Sequence, residues 1–123
     1  MEMDLQINVR RLGDIAVIGL NGEVDAYTCS RLREAMIEAI EDGGANLVVN
    51  MKEVEYIDSS GLGTLVGGLK RVSERQGAIT IVCTNPQIRK VFDITGLVKV
   101  FPIYNSEEDA VRAVNANNSK TAS

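Results

Sequence analysis

The chain has 123 residues, 45% of them hydrophobic, enough for one domain with its own core and too few for two domains of ordinary size. Thirteen basic against 17 acidic residues give a net charge of −4, and no Lys/Arg cluster exceeds two residues, which argues against nucleic acid and anionic membrane surfaces as partners. Histidine is absent, which removes the commonest general base, any histidine metal site and any Ser-His-Asp triad, so no enzymatic activity and no cofactor are expected.

The start, Met1-Glu2-Met3-Asp4, lacks a signal-peptide pattern, and no apolar run approaches the roughly 20 residues that span a bilayer, so a cytoplasmic location is expected. Leu5-Gln6-Ile7-Asn8-Val9 alternates apolar and polar residues. Arg11-Leu12-Gly13-Asp14 then offers a turn before the mostly apolar Ile15–Leu20, which predicts a hairpin with a half-exposed first strand. Asn21-Gly22-Glu23-Val24-Asp25 reads as a connecting loop. Tyr27, Thr28 and Cys29 open a helix whose apolar face is Leu32, Ala35, Met36, Ala39 and Ile40, ended by Gly43-Gly44. Cys29 and Cys83 have no metal-ligand spacing and are expected to be free thiols of a reducing compartment.

Leu47-Val48-Val49 begins the next strand, and Val54–Ile57 leads to Asp58-Ser59-Ser60-Gly61-Leu62-Gly63, where strand gives way to a helix beginning near Gly61. Leu62, Leu65, Val66, Leu69 and Val72 line one face of that helix, with Lys70, Arg71 and Arg75 on its polar side. Ala78–Cys83 is a nearly unbroken apolar, β-branched run, as expected of a strand covered on both faces in a parallel sheet. Asn85-Pro86 caps a short helix carrying Ile88, Val91 and Phe92 and stopped by Thr95-Gly96. Val98–Phe101 reads as the last strand, and Ser106-Glu107-Glu108-Asp109 as the start of a terminal helix through Val114; the polar residues 115–123 are expected to form a disordered tail. The predicted architecture is α/β: a single domain over 1–114, a mostly parallel sheet with an antiparallel N-terminal strand, and about four helices.

The serine motif carries the functional signal. A helix start leaves backbone N–H groups without partners and bears roughly half a positive charge, so a phosphate on Ser59 or Ser60 would meet donors there. Taken alone, both serines read first as helix caps, and Asp58 and Asp25 equally as carboxylates bonded to nearby backbone. Gly61, Gly63, Gly67 and Gly68 do not make a nucleotide-binding loop, because no Gly-Lys-Ser/Thr follows. Gly63 and Gly67, four residues apart on one helix face, suit a close approach of sheet or partner backbone.

Three landmarks in order, Gly22-Glu23-Val24-Asp25, the Asp-Ser-Ser-Gly-Leu-Gly motif and Val91-Phe92-Asp93-Ile94-Thr95-Gly96-Leu97, make most of the chain resemble the STAS-domain family, and within it the stand-alone bacterial anti-sigma factor antagonists. The resemblance implies that Ser59, directly after the motif aspartate, is a phosphoacceptor, and that Asp25, Asp58, Ser60, Gly61 and Gly63 contribute to a partner-binding surface. It further implies that the unphosphorylated form binds an anti-sigma factor that is also a serine kinase, thereby freeing a sigma factor. Phosphorylation would end the interaction, a PP2C-type phosphatase would restore it, and the protein would be a monomer or weak dimer. The alternative on the same fold is a scaffold, or a soluble subunit of a signalling assembly or transport system.

Overall fold

Gly13, at φ 67, makes the left-handed turn that reverses β1 (Leu5–Leu12) into β2 (Ile15–Val24) as an antiparallel hairpin in register from Leu5–Gly22 to Leu12–Ile15. The structure, a computed structural model, describes residues 4–122, with side chains through residue 117. The chain continues as α1 (Cys29–Glu41), β3 (Asn46–Ile57), α2 (Ser59–Ser73), β4 (Ala78–Val82), α3 (Pro86–Thr95), a 3-10 turn at Leu97–Lys99, β5 (Ile103–Tyr104) and α4 (Glu107–Ala122). The five strands lie in the order β1-β2-β3-β4-β5, parallel from β2 onward, so the expected α/β layering with an antiparallel first strand is what forms.

The sheet buries both faces. On one, Leu32 and Met36 of α1, Leu62 and Leu65 of α2 and Phe92 of α3 close over Ile18, Val49 and Ile81. On the other, Ala110 and Val114 of α4 cover Ile15, Val17, Val48 and Val82. The alternation of these two sets along β2, β3 and β4 explains why those strands read as continuous apolar runs. The carboxyl end of α1, which has no basic residue in its last turn, is closed from a distance: Arg11 donates to the carbonyls of Ala39 (3.0 Å) and Asp42 (2.8 Å), and Arg75 to that of Ile40 (2.8 Å).

Three sequence expectations are corrected and one open alternative is decided. Residues 21–24 are strand rather than loop, because the second half of β3 continues past Asn50 and offers β2 further partners. Two register shifts, at Gly19/Asn21 and Gly22/Glu23, absorb the turn-forming residues as irregularities within the pairing. Val98–Phe101 is not strand: the left-handed Gly96 (φ 78) starts a 3-10 turn, Phe101 packs edge-on against Phe92 at 6.1 Å, and pairing with β4 begins only at Ile103. The motif helix starts at Ser59, two residues before Gly61, since Asp58 is its cap. Gly63 and Gly67 do not face the sheet; a Cβ on either would meet open space, whereas Gly61 and Gly68 make the close approaches.

Candidate functional site

The site is built at the carboxyl ends of two adjacent parallel strands. Val24 ends β2 and Ile57 ends β3, the two stand opposite each other, and Asp58 N–H donates to the carbonyl of Val24 at 3.2 Å. The residues that follow, Asp25 and Asp58, therefore leave the sheet side by side, each entering a helix.

Asp58 is the cap of α2. Its backbone is extended (φ −113, ψ −172), and its Oδ1 accepts from the N–H of Ser60 (2.9 Å) and of Gly61 (3.2 Å), while Leu62 N–H takes its carbonyl at 3.0 Å. The cap is thus aspartate rather than Ser60. The expectation that a phosphate would meet vacant donors also changes, because two first-turn N–H groups are already held by a carboxylate. Ser59 is the first residue of α2 and exposed, and among the described residues no hydrogen bond engages its hydroxyl. Ser60 is half-buried, and its carbonyl receives the Thr64 hydroxyl at 2.9 Å. Gly61 is buried so tightly that a Cβ would lie 2.7 Å from Val24 Cγ1 and 2.9 Å from the Val24 carbonyl, whereas Gly63 is exposed. Ser59, Gly63 and Gly67, spaced by four, form an open stripe on the outer face of the helix.

The neighbouring loop is held by Asp25 and Thr28. Asp25 Oδ1 accepts from the N–H of Tyr27 (2.9 Å) and Thr28 (3.0 Å), Thr28 Oγ1 donates to the Glu23 carbonyl (2.8 Å), and Asp25 N–H donates back to Thr28 Oγ1 (3.0 Å). Asp25 is therefore first a loop organiser. Thr28, 4% exposed, has a structural part that its sequence position at a helix start did not convey; the Asp-x-x-Thr spacing was the available signal. Between them the loop lifts Tyr27 to 91% exposure. Cys29 is partly exposed at the first position of α1. Cys83 is buried at the end of β4, where burial pushes its thiol pKa up against the opposing pull of the Asn85 backbone and Arg89. Among the described residues no group of His, Cys, Asp and Glu could hold a metal ion, and no helix is long and apolar enough to cross a membrane.

A model of the STAS domain matches residues 6–110. The anti-sigma F factor antagonist of Paenibacillus polymyxa is 33% identical over 110 residues, covering 89% of this chain and 94% of that protein. Among solved structures, an anti-sigma factor antagonist from Mycobacterium paratuberculosis superposes with a TM-score of 0.82 at 29% identity, covering 90% of this chain and 94% of its own. The anti-sigma factor antagonist SpoIIAA in its unphosphorylated form does so with 0.79 at 25%, covering 90% and 97%.

Proposed function

From the premise that the chain belongs to the STAS domain family, we propose that it is an anti-sigma factor antagonist switched by phosphorylation of Ser59. In the unphosphorylated form it binds an anti-sigma factor that is also a serine kinase, and so releases a sigma factor. Phosphate on Ser59 ends the interaction, and a PP2C-type phosphatase restores it.

The observation that carries this reading is the state of Ser59: exposed, with its hydroxyl unengaged among the described residues, and placed beside the Asp25 loop by the Val24–Ile57 pairing. A serine serving only as a cap would spend its oxygen on the first-turn N–H groups, but Asp58 holds those at Ser60 and Gly61. The hydroxyl is left for a partner. Asp25, Asp58 and Ser60 frame it, Gly61 brings the helix start against the sheet, and the bare stripe at Gly63 lets a partner backbone come close. Phosphate adds about −1.5 to −2 charges next to the Asp58 carboxylate. At a desolvated interface, an anion without a matching cation costs about 2–5 kcal/mol, more than tenfold in affinity.

The test is the intact mass, with site mapping, of the protein incubated with ATP and each candidate kinase-type anti-sigma factor of its genome. One phosphate on Ser59, absent from Ser59→Ala, is expected. Folded protein that none of these active kinases modifies would sink the switch and leave the scaffold reading on the same fold.

A further inference from the structure

β1 is an eight-residue strand at the edge of the sheet, and its outer side can be read from its pairing. The Asp4 carbonyl accepts from Glu23 N–H at 3.3 Å, one step beyond the Leu5–Gly22 pair, so the even-numbered residues of β1 exchange backbone bonds with β2. The odd-numbered residues Ile7, Val9 and Arg11 then turn their N–H and C=O groups outward, where no described strand meets them, whereas Leu5 is fully buried and its N–H is taken by the Asp4 carboxylate.

Long open edges are ordinarily guarded by charged side chains that stand across them. Here the two candidates are turned away. Arg11 folds back onto the end of α1, bonding the Ala39 and Asp42 carbonyls, and Arg10 pairs with Glu107 of α4. The strand instead presents two exposed apolar side chains on opposite faces, Val9 at 48% and Leu12 at 45% exposure. Each opens into a groove. On the α1 side a groove of about 480 Å³ is lined by Val9, Ala35 and Ala39, by Glu38 and Glu41, and by the Arg11–Asp42 ion pair. On the α4 side a groove of about 460 Å³ lies between Leu12 and Val111, bordered by Glu108 and Arg112. Asp42 is engaged by Arg11 and Glu108 by Arg112, but Glu38 and Glu41 have no ion pair among the described residues.

We propose that this edge receives an extended segment of another protein as a sixth strand beside β1, with lysine or arginine at alternate positions facing Glu38 and Glu41 and apolar residues at the intervening positions facing Leu12 and Val111. Backbone bonds to the odd-numbered residues supply the register, and the two grooves supply the selection. A second copy of this chain is the wrong occupant. Joining two β1 strands antiparallel in one continuous sheet would set the acidic rim of one α1 against the same rim of the other, like charges facing like. None of the residues lining either groove belongs to the Ser59 loop, so this surface is separate from the proposed switch.

The test uses the full chain and a short peptide of alternating lysine and valine, followed by amide NMR. The expected result is shifts at Ile7, Val9 and Arg11 and along the exposed side of α1, with affinity reduced about tenfold or more in Glu38→Lys/Glu41→Lys and lost for a peptide N-methylated on the bonding edge. Equal binding of an alternating glutamate–valine peptide, or shifts elsewhere on the surface, would overturn the proposal. So would a dimer in sedimentation velocity whose β1 amides are protected without any peptide, since the edge would then belong to a second copy.

Discussion

Asp58 shows how one side chain can set the state of its neighbour. By taking the N–H groups of Ser60 and Gly61 it starts α2 at Ser59, and it leaves the Ser59 hydroxyl unoccupied. Replacing it by alanine strips the cap, and α2 is expected to lose about 1 kcal/mol in urea denaturation, with Asp58→Asn retaining most of the stability because the amide oxygen still accepts. Equal stability of Asp58→Ala and wild type would mean that the cap is not what starts the helix. The same residue explains a limit of the sequence reading. A serine pair before an apolar helical pattern signals a helix start, yet Asp, Ser and Ser are all good caps, and only the extended backbone at Asp58 decides among them. Asp25 reads in the sequence as a loop residue and Thr28 as a helix start, but their reciprocal bonds depend on a strand that runs to Val24, which Asn21-Gly22 disguised as a loop.

The elements divide according to whether their identity rests on local pattern or on distant pairing. α1, α2 and α3 follow from apolar periodicity and their caps, and their buried residues are nearly those the spacing predicts. β5 does not, because two residues in register with Ile81 and Val82 are chosen by the sheet, while the β-branched Val98 and Val100 lie outside it. Within α2 the glycines separate by environment. Gly61→Ala would drive a methyl into Val24 and Ile57, at 2.7 and 2.8 Å, and is expected to cost about 1–3 kcal/mol. Gly63→Ala and Gly67→Ala enter open space in a helix and should each stabilise by roughly 0.5–1 kcal/mol. If the bare stripe is where a partner backbone approaches, the doubly substituted protein will melt later yet bind the proposed anti-sigma factor more weakly; gain in both would argue against contact on that stripe. At α4, burial pushes the Glu107 pKa up, but hydrogen bonds from Asn50 and Arg10 outweigh it and hold the carboxyl below its ordinary value. The charged form is therefore favoured by folding, so this contribution is present above the unfolded value of about 4.3 and is lost as pH falls through the lower folded one. Glu107→Gln should flatten the acid limb of the stability curve, and an unchanged acid limb would show that the latch from α4 to β1 and β3 is immaterial.

For the whole molecule the question is whether a phosphate must reshape the fold in order to switch it. The core lies on the two faces of the sheet, in clusters that contain neither Ser59 nor its polar neighbours Asp25, Asp58 and Ser60. Ser59 itself is exposed, and the added anion experiences two opposed local effects. The amino end of α2 favours it by about 0.3–1 kcal/mol at an exposed position, and the adjacent Asp58 carboxylate opposes it. The two act in opposite directions at an exposed position outside the core, so the fold has little reason to move. A partner surface laid over the same residues has no such compensation, because desolvation removes the water that screens the two anions from each other. Phosphorylation is therefore expected to move the unfolding midpoint by no more than a few degrees while lowering affinity for the kinase by more than tenfold. Amide shifts should be confined to residues 25–29 and 58–64, the loop and first turn that share the strand ends. Changes spreading through β4, α3 and α4, or a large drop in melting temperature, would show that the switch works by rearranging the core, and the electrostatic account of lost binding would fall with that result.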